Sequence, residues 1–313
     1  MTPLISVIMP VLDRAQYLPA AVESVLAQTF GDLELIIVDD GSQDDSPAIA
    51  ERYARCDRRI KLITLERNPH GVSGARAANI AIRTARGAYI ARMDSDDIST
   101  PRRFDISLAL MRERGLDACG GQAVYFGERE GDLWFPETHE GIASELHFRI
   151  ALLHSTLLWP AGLCRATPYD EHLAADDFEL LTRLVRSARL GNSTEILLHH
   201  RAHASQSNRV VGRKMAQDWC RIRFAYFFKC FPNARPVDFL SLDRISKKVA
   251  HASINDLSLA GHWLMRLSQV KEQRARQRMA ERWDEACARM AEQSPELEDL
   301  HAQVRARINA GAA

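Results

Sequence analysis

The chain has 313 residues, with 41 basic and 41 acidic side chains and a formal net charge of zero at pH 7. That balance leaves no electrostatic footprint for a nucleic-acid partner. Apolar content of 46% and charged content of 26% are ordinary for a globular protein, and no apolar run reaches the roughly 18–20 residues that cross a bilayer.

In chain order, "LISVIMP" (4–10) reads as a buried strand and "YLPAAVESVLAQ" (17–28) as a helix by its apolar spacing. The start "PLISVIMP" lacks the basic region and cleavage site of a signal peptide. A second strand, "LELIIVDD" (33–40), precedes a helix over 46–56 with Ser46 as expected N-cap and Pro47 in its first turn. Then come a strand over 60–65, a helix over 71–85 and a strand over 88–94. The next helix, 100–115, is expected to be capped by Thr100, opened by Pro101 and stopped by Gly115. Residues 117–127 read as a fifth strand or a pair.

Residues 130–210 are less regular. They hold "LLHSTLLWP" (152–160), the amphipathic "AADDFELLTRLVRSARLG" (174–191) and a final strand in "EILLHHR". The last hundred residues read as helices. Among them the aromatic stripe of "DWCRIRFAYFFKCF" (218–231) is expected to pack in a core, with a membrane surface as the alternative. The six cysteines, Cys56, Cys119, Cys164, Cys220, Cys230 and Cys287, form no CxxC pair. They read as reduced, mostly buried thiols of a cytoplasmic protein.

Strand–helix alternation with continuous apolar strands implies an α/β fold, a mostly parallel sheet with helices on both faces. Ligands of such sheets bind beyond the carboxyl ends of the strands. The residues there are Pro10, Val11 and Asp13, then Asp39-Asp40-Gly41-Ser42, then Asp94-Ser95-Asp96-Asp97. An Asp-x-Asp at a strand end suits a hard cation such as Mg2+ or Mn2+, which takes one or two carboxylates plus phosphate oxygens. The same letters also fit a solvated turn that caps the next helix. A plain Asp-Gly turn explains Asp40-Gly41, but not acids at two neighbouring strand ends.

Taken together, "ISVIMPVLDRAQYLPAAVESVLAQTFGDLELIIVDDGSQDDS" and "GAYIARMDSDDISTPRRF" resemble family 2 glycosyltransferases of the GT-A fold. The later "AADDFELLTRL" and "LLHHRAH" resemble that family's acidic base motif and its closing Arg-x-His segment. The resemblance covers roughly 4–210. It implies a Rossmann-like catalytic domain over 1–210, with a nucleotide-sugar half (1–127) and an acceptor and base half (128–210), followed by a helical extension over 211–313.

The resemblance also implies roles. Pro10, Val11 and Asp39 would bind the donor, with Asp39 reading the base. Asp13 stands where the family often has Asn, and Arg76 is a basic contact to base or phosphate, followed here by Ala77 instead of Asn. Asp94, Ser95 and Asp96 form the DxD. Asp94 would approach the ribose or serve as a secondary metal contact, and Asp96 would hold Mn2+ or Mg2+. Asp97 is a support. Asp177 would be the general base of an inverting transfer, with Asp176 beside it replacing the usual Glu. A plain helix cap is the other reading of that pair. Arg201 would reach the diphosphate, His203 would be a third metal ligand or a phosphate contact, and His154 would lie on the acceptor side. The implied partners are a nucleotide-sugar donor, a UDP-sugar, and a glycan, lipid-linked glycan or protein acceptor. Independently of the resemblance, the membrane alternative for the aromatic stripe would give peripheral contact at the inner face of a membrane through the C-terminal helices.

Three other readings compete. An aspartate-based phosphotransferase would need Thr where Ile98 stands. A dinucleotide enzyme would need a GxGxxG after the first strand. An inactive sugar-nucleotide-binding module is kept open by Asp176 and Ala77.

Overall fold

The computed structural model describes residues 2–68, 73–203, 212–247, 253–290 and 295–311. Its first half alternates β1 (Ile5–Val11), α1 (Leu18–Leu26), β2 (Leu33–Asp39), α2 (Ser46–Cys56), β3 (Ile60–Thr64), α3 (Ala75–Thr84) and β4 (Tyr89–Arg92). β1 and β2 are buried along their whole length, as a strand covered on both faces requires. Next come β5 (Ile98–Ser99), α4 (Arg103–Arg114), β6 (Ala118–Gly127), β7 (Gly131–Leu133), α5 (His139–Glu145), a 3-10 turn (His154–Thr156), β8 (Leu158–Pro160), α6 (Ala161–Ala166), α7 (Asp176–Ser187) and β9 (Leu190–Ala202). The helices α8 (Gly212–Cys230), α9 (Pro236–Ser246), α10 (Ile254–Leu267), α11 (Gln273–Cys287) and α12 (Pro295–Ala310) follow.

One sheet runs in the order β3-β2-β1-β4-β8-β6-β9-β5, with β7 beside β6. The β3-β2-β1-β4 half is entirely parallel. The other half is mixed: β8, β7 and β5 pair antiparallel, whereas β6 and β9 are parallel. Register places Ile8 between Ile36 and Arg92, and Val11 beside Asp39. The strand ends that the sequence marks as acidic therefore lie at one edge.

The opposite edge is closed by a polar clamp. Ser6 Oγ donates to Glu34 Oε1 at 2.6 Å, and the Arg86 backbone N–H donates to the same oxygen at 2.8 Å. The Arg86 guanidinium holds Glu34 Oε2 at 2.8 and 3.0 Å. A Cβ on Gly87 would meet Ser6 N at 2.6 Å, so glycine lets the turn into β4 lie against β1.

Two caps differ from the sequence reading. α2 starts at Ser46 itself, and Asp44 Oδ1 accepts from the Ser46 N–H at 2.9 Å. α4 starts at Arg103 instead of Thr100, because Ile98 and Ser99 are drawn into pairing with His199 and Leu198. Gly115 ends α4 in the left-handed conformation, φ 59°, as expected. The first two residues of the helix expected over 71–85 lie outside the described residues.

The chain divides into two compact units. The first, Met1–Glu137 with Leu152–Cys220, contains the whole sheet. The second, Thr138–Ala151 with Arg221–Ala313, is helical around Phe227, Leu242, Leu257, Trp263, Met279 and Trp283. Within it the fully buried Glu145 is held by Arg149 at 2.5 Å and Arg282 at 2.6 Å. Of the six free cysteines, Cys119, Cys164 and Cys287 are buried and Cys56 is exposed. Among the described residues no helix is long and apolar enough to cross a membrane.

Candidate active site

The β1 and β2 ends form one wall. Asp39 is 1% exposed; its Oδ2 accepts from the Ser42 N–H at 3.2 Å, and its Oδ1 is buried with no hydrogen-bond partner. A buried acceptor left unpaired is costly, so this oxygen marks a place for a ligand donor. Gly41 (φ 84°) makes the exit turn, and a Cβ there would meet Arg67 N at 2.3 Å. Asp13 is itself left-handed at φ 52°, and is fixed by Ser42 Oγ, the Gln43 N–H at 2.7 Å and Arg67 at 3.0 Å. Arg76 bonds Asp40 Oδ1 and the Glu66 carbonyl, both at 3.1 Å. Burial pushes the Asp40 carboxyl up, against the pull of Arg76.

The β4 end carries the acidic cluster, and each acid has its own partners. Asp94 Oδ1 is gripped by Arg92 Nε and Nη2 at 3.0 and 2.7 Å, and its Oδ2 accepts from Ser155 Oγ at 2.5 Å. Burial opposes its ionisation, yet Arg92 and Ser155 hold it well below the usual carboxylate range. Asp96 Oδ2 meets Arg14 Nε at 3.2 Å and His203 Nε2 at 3.0 Å. The wholly buried Asp97 takes the Arg201 backbone N–H at 2.9 Å and contacts His200 Nδ1 at 3.0 Å. Burial raises Asp97 despite His200; burial lowers His200, but Asp97 outweighs it, so both titrate above their ordinary values.

Strand β9 delivers the basic half of this cluster. Arg201 lies between the Tyr17 and Phe126 rings at 4.8 and 4.3 Å, and its Nε donates to the Asp96 carbonyl at 2.8 Å. The His203 ring packs on Tyr17 at 4.5 Å. A guanidinium over aromatic faces is held in orientation as well as in place.

The third wall is the start of α7. Asp176 and Asp177 open that helix half-buried, where the dipole favours negative charge. Burial dominates nonetheless. Burial and Asp177 push Asp176 up to about 8, and burial with Asp94 pushes Asp177 up to about 6, against the pull of the Phe178 N–H at 2.6 Å and of Arg92. Arg92 also faces Asp176 electrostatically. His154 is buried, bonded to Tyr169 Oη at 2.6 Å, and lowered by burial and by Arg92 to about 3, so it is neutral.

Asp96, Arg201 and His203 thus meet, Asp94 is gripped by Arg92, and Asp176, Asp177 and His154 face that same Arg92 guanidinium, while Pro10, Val11, Asp13, Asp39 and Arg76 lie along the β1 and β2 side. Ser95 is buried within the cluster. Sequence reasoning passed over Arg92, Arg14, Ser155 and Tyr169. A charged residue inside the apolar run "YIARM" was a signal that Arg92 had a specific partner.

Among the described residues no three His, Cys, Asp or Glu side chains form a ready-made cation cage. The donor set still fits an Mg2+ or Mn2+ that arrives with phosphate, because such ions keep few protein ligands. Asp96 and His203 are already side by side, whereas the Asp94 oxygens are engaged by Arg92 and Ser155.

Residues 6–169 match the family described as Glycosyl transferase family 2. An uncharacterized glycosyltransferase of Haemophilus influenzae is 28% identical over 241 residues, 71% of this chain and 72% of that protein. The O-antigen biosynthesis glycosyltransferase WbnJ of Escherichia coli is 31% identical over 210 residues, 64% of this chain and 80% of WbnJ. Glycosyltransferase GlyG of Streptococcus pneumoniae is 34% identical over 145 residues, but only 47% of its length is spanned. In fold, the chain is similar to S. aureus TarS 1-349 in complex with UDP-GlcNAc (TM-score 0.59, 18% identity, 98% of this chain and 91% of that one). It is also similar to glucosyl-3-phosphoglycerate synthase from Mycobacterium tuberculosis with Mn2+ and UDP (TM-score 0.53, 15% identity, 71% and 80%).

Proposed function

The chain belongs to glycosyl transferase family 2 and is a glycosyltransferase with a GT-A-type α/β fold, and from that premise we propose that it moves a sugar from a UDP-sugar to an acceptor hydroxyl with inversion. One observation carries the reading. The buried Arg92 grips Asp94 and faces Asp176 and Asp177, so donor-side and acceptor-side carboxylates meet around one cation.

In this reading Asp39 Oδ1 accepts from the base or ribose, beside Pro10 and Val11. Asp13 and Arg76 shape the loop over it. Arg201, oriented by Tyr17, Phe126 and the Asp96 carbonyl, faces the diphosphate. Asp96 with His203, supported by Asp94, would hold Mn2+ or Mg2+. When bound, that ion supplies Lewis-acid neutralisation of the leaving diphosphate. The relative solved with Mn2+ and UDP supports this assignment.

Asp177 acts as general base. It takes the proton of the acceptor hydroxyl as that oxygen forms its bond to the anomeric carbon. The C–O bond to the diphosphate breaks on the opposite face, which inverts the centre. At neutral pH the Asp pair holds one proton, and the raised Asp176 keeps it, leaving Asp177 ionised. Two acids driven apart by their surroundings divide acid and base roles in this way. Neutral His154, fixed by Tyr169, offers a hydrogen bond on the acceptor side. The acceptor is a hydroxyl of a glycan, lipid-linked glycan or protein; the O-antigen relative favours a surface polysaccharide.

A panel of nucleotide sugars, with Mn2+ or Mg2+ and with chelator, read by mass spectrometry, tests the assignment. Metal-dependent hydrolysis or transfer from a UDP-sugar is expected. Binding without turnover across the panel makes the chain an inactive sugar-nucleotide module. A phosphoaspartate at Asp94 would establish the phosphotransferase reading instead, although both Asp94 oxygens are already engaged.

A further inference from the structure

We propose that the outward face of α8 and α9 docks on an anionic lipid bilayer, with Phe224, Val237 and Leu240 entering the interface and the surrounding Arg and Lys side chains on the headgroups. The aromatic stripe of α8 divides by face. Ile222, Tyr226 and Phe227 are buried in the helical unit, as the sequence reading expects, but Phe224 turns outward. Only five large apolar side chains are exposed among the described residues, and three of them lie here: Phe224 at 44%, Val237 at 40% and Leu240 at 53%. Phe224 packs against α9. The Phe224 ring contacts Phe228 at 4.7 Å and the Phe239 ring of α9 at 5.2 Å. Val237 and Leu240 stand one turn apart on α9.

Charge selects the occupant. Residues 221–247 carry six bases and two acids, in a chain whose net charge is zero. Both acids, Asp238 and Asp243, are buried, at 6% and 7% exposed. Asp238 caps α9 against Arg235, and Asp243 pairs with Arg223 and Lys247. Arg244 leans on Asp256 of α10. The exposed charges of the segment are thus all basic: Arg221, Lys229, Arg235, Arg244 and Lys247. Acids turned inward and bases turned outward around apolar side chains match the interfacial layer of an anionic membrane. A second copy fits less well, because a two-fold contact through this face would set like charges against each other. With no membrane-spanning helix among the described residues, the contact is interfacial.

The test is flotation of the full chain with vesicles. One set holds phosphatidylcholine alone, and the other adds about 30% phosphatidylglycerol. Binding at least about tenfold tighter to the anionic vesicles, weakening as salt rises, is expected. The triple variant Phe224→Ser, Val237→Ser, Leu240→Ser should lose at least about tenfold in partition while UDP binding is unchanged. If that variant misfolds, Arg221→Gln with Lys229→Gln changes two exposed side chains and should lower binding and flatten its salt dependence. Equal partition to both vesicle types, or full binding by both variants, overturns the proposal. So does a concentration-dependent dimer that the triple variant dissociates, which would assign the face to a second copy.

Discussion

Replacing Asp176 and Asp177 separately by Asn tests the division of the acidic pair. Burial with Asp177 lifts Asp176 to about 8, and burial with Asp94 lifts Asp177 to about 6. At pH 7 the lower group is mostly ionised and the upper mostly protonated. The sign follows from the base being active only when deprotonated. In the wild type kcat/KM should rise with pH through about 6, level off, and fall above about 8 as Asp176 gives up its proton. Asp177→Asn removes the base and should lower kcat about 10²–10⁴-fold with donor affinity kept. Asp176→Asn replaces a group already neutral at pH 7 and should cost less than about tenfold, while the alkaline limb disappears. The assay is transfer or hydrolysis at saturating metal from pH 5 to 9. If Asp176→Asn proves the more damaging change, Asp176 is the base; a flat profile in the wild type removes both.

Three further outcomes are expected. Asp96→Asn should weaken metal-dependent UDP binding at least about tenfold by calorimetry, without changing metal-free UDP binding. Arg92→Lys keeps the charge but loses the two-pronged grip on Asp94, so kcat/KM should fall about tenfold or more with the fold intact by circular dichroism. Glu34→Gln should cost about 2–4 kcal/mol at pH 7 in urea unfolding, because a buried carboxylate with four donors is neutralised. Burial opposes Glu34 ionisation, but Ser6 and Arg86 outweigh it and lower its pKa. Its stabilisation is therefore full above the unfolded value, about 4.3, and is lost as pH falls through the folded one, so wild type and variant should converge in acid.

The parallel half was legible because its strands are unbroken apolar runs and its helices have a clear period. β5 was not, because two residues become a strand only when β9 arrives beside them. β8 ends at Pro160 and takes its place between β4 and β6 through tertiary packing, not through a local pattern. In the site, Asp39, Asp94 and Asp96 announced themselves as acids at strand ends. Ser155 and Tyr169 could not, since they act from residues 61 positions away from Asp94 and 15 from His154. Arg92 was hidden by its position in a strand read only for hydrophobicity.

The crossing of β5 by β9 also sets a clock. Asp96 waits for His203 and Arg201, and Asp97 for Arg201 and His200, all more than a hundred residues later in the chain. At roughly 5–20 residues per second of synthesis, Asp96 and Asp97 spend about 5–20 s without those counterparts. The parallel half can form in that interval from chain already made. The last piece to be set is the one with most at stake chemically, so a nascent chain interrupted before His203 would present a formed sheet edge whose acids repel one another with no β9 to meet them.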